Sequence, residues 1–404
     1  MSRSSDLPTR SVLMAIGFLM VLNLLLQWCG FHNGFDNQPV NQHSITSTDS
    51  LNYIQFAQQF LKDGFAETFK KGYRLPGYPL FLAFFHQFFP LPLLAARIAQ
   101  SILASCLIPL SYFTVRSITR SSGTAYIGML MTFAWFPIYH FSPILYAESL
   151  SVFFVGVLLF SMTRVAGDRP MTAITPVFVI GILTYIRPNH LLFLIPYLAF
   201  LWMQFADLRI DRRLIRLGLA ASFFIMVMLP WSTWISVQNQ TLMPLSTTQG
   251  STLYLATAEG HRRNPQEIYA METEKGEAIA SQYYESLAQQ AWRSNPVGNT
   301  KYGFKKILHT FGLWFQRVMD WVMGLQLILA IASAVWLWQS RRYLPWVFFF
   351  CGTIGVTALQ SFIFHQGFRF KLVLFDLPAL LILSLGSTGL FTGFFAQKIS
   401  HKTP

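Results

Sequence analysis

The feature that most constrains this chain is the recurrence, from near one end to the other, of apolar stretches long enough to cross a lipid hydrocarbon core. Such a core is about 30 Å thick and takes roughly 20 residues of helix, in which every backbone group is satisfied internally. Only 12% of residues are charged, against about 25% in a soluble chain. That leaves too little polar surface to hold these segments in water, so the expected class is an all-α polytopic membrane protein. Soluble nuclear, secreted and cytosolic roles are excluded.

The basic excess, Lys+Arg 30 against Asp+Glu 17, is strung in short clusters between apolar segments. No basic domain stands apart from them, which argues against nucleic acid as a partner. Lys and Arg gather instead in cytoplasmic loops, and a cationic face also suits an anionic headgroup or a phosphate-bearing substrate. Cys29, Cys106 and Cys351 lie in or beside apolar runs and form neither a disulfide framework nor a zinc motif. Arg3 and Arg10 precede the apolar stretch Val12 to Trp28, whose length fits a spanning helix better than a cleaved signal. Trp28 before Cys29 is too bulky for a lipoprotein cleavage site.

Hydropathy and the positive-inside rule give about ten spans, near 11–29, 93–115, 124–140, 147–163, 171–186, 189–206, 215–236, 308–338, 344–363 and 372–395. The stretch between Pro76 and Pro90 is ambiguous: crossing fully, it would turn Arg116 and Arg120 outward, and as a partial or surface-lying helix it leaves them facing inward, the choice that charge favours. Leaving it out of the count puts Arg116 and Arg120, Arg164 and Arg169, the cluster Arg209, Arg212, Arg213 and Arg216, then Arg341 and Arg342, and finally Lys398 and Lys402 on the cytoplasmic side. The expected organisation is a tail over 1–10, an N-terminal transmembrane core over 11–236 with a first external loop at 30–75, a large external loop at 237–306, C-terminal transmembrane helices at 307–397 and a tail at 398–404. Both termini are then cytoplasmic in a plasma (inner) membrane. Within the first loop, Leu51, Ile54, Ala57, Phe60 and Leu61 form an apolar stripe at helical spacing, predicting an interfacial helix capped at Thr48 or Asp49.

A charge at membrane depth costs several kcal/mol, of order 2.5–3.5 on insertion scales, so charges at the ends of apolar segments demand a reason. Asp49 is a carboxylate at the start of the interfacial helix, where a plain N-cap is the competing account. Glu148 heads directly into an apolar run, as a base or as compensation for a helix dipole. Arg187, between two apolar runs, asks for an anionic ligand or else reaches headgroups by snorkelling. Arg369 and Lys371 precede a span on the external side, where the topology rule gives basic residues no credit. Arg74, between Tyr73 and Tyr78, is a phosphate ligand or an interfacial anchor. His190 adjoins Arg187 and His365 adjoins Arg369, whereas His261, Arg262 and Arg263 read more readily as a solvated face. No histidine pair has metal-ligand spacing, so no metal is expected, although a divalent cation remains open. With Asp49 and Glu148 as catalytic carboxylates and Arg74, Arg187, Arg369 and Lys371 as phosphate ligands, Tyr53, Tyr78, His190 and His261 are candidate acceptor or sugar contacts. This layout suits a reaction on an anionic lipid headgroup, a carboxylate taking the proton of an acceptor hydroxyl while arginines stabilise a departing phosphate.

At these residues the sequence resembles the GT-C superfamily of integral-membrane glycosyltransferases, in the group related to protein O-mannosyltransferases and the lipid A aminoarabinose transferase. Asp49-Ser50-Leu51-Asn52-Tyr53 with Ala57, Arg74-Leu75-Pro76-Gly77-Tyr78-Pro79-Leu80-Phe81, Tyr146-Ala147-Glu148-Ser149-Leu150, and Arg187-Pro188-Asn189 with Arg369-Phe370-Lys371 carry the resemblance in order along the chain. It implies a GT-C-like helical bundle and a polyprenyl-phosphate sugar donor. It also implies inverting transfer to a glycan, lipid or protein acceptor on the external face, with Asp49 as base, Glu148 positioning the acceptor or a cation, and basic residues holding the phosphate. Ser50 stands where many relatives carry a second acid, which weakens a metal-dependent variant. No large soluble domain follows the last apolar segment, so the acceptor would be selected in part by residues 237–306. Two other classes remain open: a transporter or flippase of lipid-linked glycans, for which paired broken helices in related halves would be the sign, and a polymerase or ligase using polyprenyl-diphosphate glycans.

Overall fold

The computed structural model describes residues 9–33, 48–135, 139, 142–166, 169–246, 249–262, 277–313, 318–364 and 371–387. These residues are helical almost throughout. An isolated antiparallel bridge between Ala166 and Arg169 is the only β pairing among them. By length and composition, five helices are apolar enough to cross a membrane: Arg10–Cys29, Pro92–Thr119, Ile210–Gln238, Asp320–Leu337 and Leu344–Ile363. Shorter apolar helices cover Ala147–Met162, Met171–Ile186 and Val373–Ser387.

In chain order the first helix, α1 (Arg10–Asn33), is followed by α2 (Thr48–Phe69) and the short α3 (Gly77–Phe88). The next pair, α4 (Pro92–Ser105) and α5 (Leu107–Thr119), joins at Cys106 into one apolar run. After α6 (Ser122–Ala134) come α7 (Ala147–Met162) and α8 (Ile174–Ile186), then a 3-10 turn at Pro188–Phe193, α9 (Leu194–Gln204) and the long α10 (Ile210–Gln238). The polar insertion holds α11 (Gln249–Leu255), α12 (Glu277–Ser294) and α13 (Pro296–Thr310). The chain then forms α14 (Val318–Leu337), α15 (Leu344–Ile363) and α16 (Val373–Ser387), the last opening on a π-helical turn at Leu372–Asp376.

Apolar side chains lie on both sides of this bundle. One extended core includes Leu107, Val155, Ile180, Tyr197, Phe349 and Phe375. Yet Leu13, Phe18 and Leu25 of α1, Leu219, Ile225 and Leu229 of α10, and Trp321, Leu325 and Ile328 of α14 are exposed. Contiguous apolar surface on this scale is foreign to water-soluble monomers and suits contact with lipid.

Three local details differ from the sequence expectation. The interfacial helix forms, but Gly64 (φ 82, ψ 174) breaks α2 before Phe69. The stretch expected as a span over 308–338 is divided: α13 ends at Thr310 and α14 begins at Val318. Gly312 (φ 71) supplies a left-handed end, and Leu313 donates to Leu308 O at 2.8 Å. The run after Arg187 starts as a 3-10 turn because Pro188 removes a helical donor and pushes its predecessor to extended backbone (φ −151, ψ 134).

The insertion is tied to the bundle by Lys306, buried on α13, whose ammonium donates to Ala256 O (2.9 Å) and Phe364 O (3.1 Å). Burial pushes this amine down to about 8. The proton is therefore bound less tightly in the folded chain than in the unfolded one. The resulting stability is complete above the ordinary lysine value and lost as pH falls through about 8. The melting temperature in detergent should thus rise as pH is raised from about 8 toward the ordinary lysine range, and Lys306→Met should flatten that slope; an identical slope in the variant would contradict the assignment.

Close packing also fixes the start of α3. A Cβ at Gly77 would stand 2.6 Å from Tyr185 O, so backbone meets backbone where α3 crosses the end of α8. Gly77→Ala should cost about 1–3 kcal/mol by overpacking, read as a lower midpoint in thermal unfolding.

Candidate functional site

Four chain segments bring charge to one place. Asp49 stands in the first turn of α2 and Tyr53 one turn later. Arg74 lies in the connection from α2 to α3, with Tyr78 just inside α3. Glu148 opens α7, and Arg187 caps the end of α8.

The charges meet as two ion pairs. Arg74 Nη2 donates to Asp49 Oδ1 at 2.9 Å, and Arg187 Nη1 donates to Glu148 Oε1. The Glu148 side chain is only 1% exposed and that of Arg187 11%, whereas Asp49 retains 29%. The pairs are neighbours: Arg187 lies within electrostatic reach of Asp49, Arg74 and Tyr53, and Tyr78 within that of Tyr53 and Glu148. The Tyr53 and Tyr78 rings meet edge-on at 4.8 Å.

The Arg74 guanidinium sits 4.9 Å from the Tyr53 ring centre and 5.0 Å from that of Tyr73, a favourable cation–π arrangement. Burial works to lower its proton affinity, but Tyr53, Tyr73 and Asp49 outweigh burial and raise it above the ordinary arginine value. Arg74 Nε is buried and has no hydrogen-bond partner among the described residues. The cluster thus holds two carboxylates and two guanidiniums, with one buried donor still unspent. Chemically, it offers acceptors for a proton and bidentate donors for an oxyanion.

A polar seam that the charges alone did not reveal supports this cluster. Tyr78 OH donates to Gln100 Oε1 at 2.6 Å, and Gln100 Nε2 donates to Ser142 O (3.2 Å) and Ile144 O (2.9 Å). One turn earlier on α4, Arg97 Nε donates to Pro143 O at 2.7 Å. Both side chains hold the segment that delivers Glu148 to α7. Ser142 Oγ in turn donates to Gln27 Oε1 (2.6 Å), and Gln27 binds Ser105 Oγ (3.1 Å) and Asn23 on α1. The sequence signal for this seam was present: Asn23, Gln27, Arg97 and Gln100 interrupt segments that are otherwise apolar.

The remaining candidates are not members of these two ion pairs. Lys371 is fully buried, 3.1 Å from Asp376 Oδ1 and donating to Gln326 Oε1 at 3.2 Å, while Trp135 Nε1 donates to Asp376 Oδ2 at 2.9 Å. This second ionic cluster packs against α7, the helix that Glu148 opens. Its carboxylate, Asp376, was legible as the lone acid within the last apolar run. His190 is buried with Nδ1 2.8 Å from Leu183 O, closing the end of α8. His261 is exposed on a 3-10 turn and lies 5.1 Å from the Tyr302 ring, within the polar insertion. Arg369, His365 and Arg263 lie outside the described residues. Among the described residues no group of three His, Cys, Asp or Glu side chains is placed to hold a metal ion.

No protein-family model matches the chain, and no curated protein matches it.

Removing one member of a buried ion pair leaves the other charge stranded, typically at 3–5 kcal/mol. Glu148→Gln and Arg187→Met should each lower stability strongly in detergent, while the double variant should lose clearly less than the sum. Additive losses would show that the two side chains are uncoupled.

Proposed function

We propose that this chain is an inverting GT-C-type glycosyltransferase that moves a sugar from a polyprenyl-phosphate donor to an acceptor on the external face of the membrane. The observation that carries the reading is the gathering of Asp49–Arg74 and Glu148–Arg187, with Tyr53 and Tyr78 between them, at neighbouring helix ends of an apolar chain. The reading takes the ten-span arrangement with both termini cytoplasmic, which places these helix ends on the external side.

In this reaction Asp49, the more exposed carboxylate, takes the proton of the acceptor hydroxyl. The hydroxyl oxygen bonds to the anomeric carbon, the bond from that carbon to the phosphate oxygen breaks, and its electron pair leaves with the lipid phosphate. Arg74 and Arg187 hold that anion. Buried Glu148 positions Arg187 and the acceptor. The polyprenyl chain lies against the exposed apolar helix faces.

The two ion pairs give the cycle a built-in order. A carboxylate oxygen that accepts from an arginine is not placed to take the acceptor's proton as well. When the donor phosphate takes up the arginines, including the unspent Nε of Arg74, the carboxylates are released toward the acceptor. Lys371 would join only if its pair with Asp376 opened.

The test is to incubate detergent-purified protein with radiolabelled polyprenyl-phosphate sugars and a membrane extract as acceptor, and to follow released lipid phosphate. Release with one sugar is expected, falling by about 10²–10⁴-fold in Asp49→Asn. Folded protein that releases lipid phosphate from no donor would move the weight to transport or to a diphosphate-linked glycan.

A further inference from the structure

Gln360, near the end of α15, is 1% exposed, and among the described residues neither its Nε2 nor its Oε1 has a hydrogen-bond partner. Its backbone is satisfied, since Phe364 N donates to Gln360 O at 2.9 Å, so only the side chain is stranded. Thr357 Oγ1, one turn earlier, is also buried and unpaired. A buried carboxamide with both groups unmet works against folding, and native proteins keep few of them.

The packing of α15 shows which helix face carries Gln360. Phe200 of α9 meets Trp346 edge-on at 5.0 Å, and a Cβ on Gly352 would stand 2.7 Å from Pro196 Cβ, so the two helices run antiparallel. Phe349 stacks on Phe193 at 6.5 Å. Gln360 continues the Trp346–Phe349–Thr353–Val356 stripe at helical spacing. That face runs on past the start of α9 toward the turn Pro188–Phe193, which follows Arg187, and α15 packs against that turn. Thr357 lies on the side of Phe350, whose ring meets Phe375 of the π-helical turn at 5.8 Å.

We propose that Gln360 is a sugar-selecting residue of the Glu148–Arg187 site, its carboxamide donating to one hydroxyl of the transferred sugar and accepting from another. This rests on the transferase reading. A phosphate would satisfy Nε2 alone and be repelled by Oε1, whereas neighbouring hydroxyls of a sugar satisfy both atoms. The ligand portion met here is therefore the neutral polyol and not the anion.

Two measurements test it, on Gln360→Leu and on Gln360→Met, which matches the amide's length. The first is thermal unfolding in detergent: both variants should melt above wild type, because an unmet polar group has been removed. The second compares transfer from polyprenyl-phosphate sugars with transfer from their deoxy analogues. Wild type should discriminate against the analogues that lack either contacted hydroxyl, and both variants should lose about tenfold or more of that discrimination. Variants that melt lower, or that keep full discrimination while wild type is active, overturn the proposal and leave the transferase reading standing. A wild-type protein inactive with every donor overturns both.

Discussion

Everything in this molecule that departs from a lipid-soluble bundle depends on the cost of an unpaired charge away from water. Arg187 is tolerable between two apolar helices because Glu148 answers it, and Lys371 because Asp376 does. Glu148 and Arg187 lie 39 residues apart on different helices, so their pair fixes helix against helix as well as charge against charge, whereas Lys371 and Asp376 close a single π-helical turn. The Asp49–Arg74 pair closes the connection from α2 to α3 in the same way, with Tyr53 and Tyr73 covering the guanidinium.

The seam of Asn23, Gln27, Ser105, Ser142 and Gln100 shows how such a site is kept in shape. In an apolar surrounding, helices gain little from burying more apolar surface against one another, and polar side chains supply the specificity of their docking. Here they lead from α1 to the segment before Glu148. The end of α8 just before Pro188, and the close backbone contact at Gly77, bring Arg187 and Tyr78 to the same region.

Much of this was legible from residue order alone. Length and hydropathy announce the helical membrane class, and charges at the ends of apolar runs single out Asp49, Arg74, Glu148 and Arg187, which the structure gathers together. What sequence could not supply is pairing. The same logic that grouped Lys371 with the other cations had no means of seeing that Asp376, five residues on, meets it through a π-helical turn. His190 drew notice by standing beside Arg187, yet its ring closes a helix end through Leu183 O. Gln100 and Gln360 were passed over because the reading weighed charges alone, although a buried amide left without hydrogen bonds also costs roughly 2–7 kcal/mol.

On the proposed reading, the two carboxylate–arginine pairs are a resting state in which base and phosphate site neutralise each other until the donor arrives. The most direct measurement is a native mass spectrometry titration of polyprenyl phosphate onto wild type and onto the Asp49→Asn/Glu148→Gln double variant, at a temperature where both remain folded. Exchange of partners predicts tighter binding in the variant, because the anion no longer competes with carboxylates for Arg74 and Arg187. Equal or weaker binding would contradict the account and leave the pairs as structural ties alone.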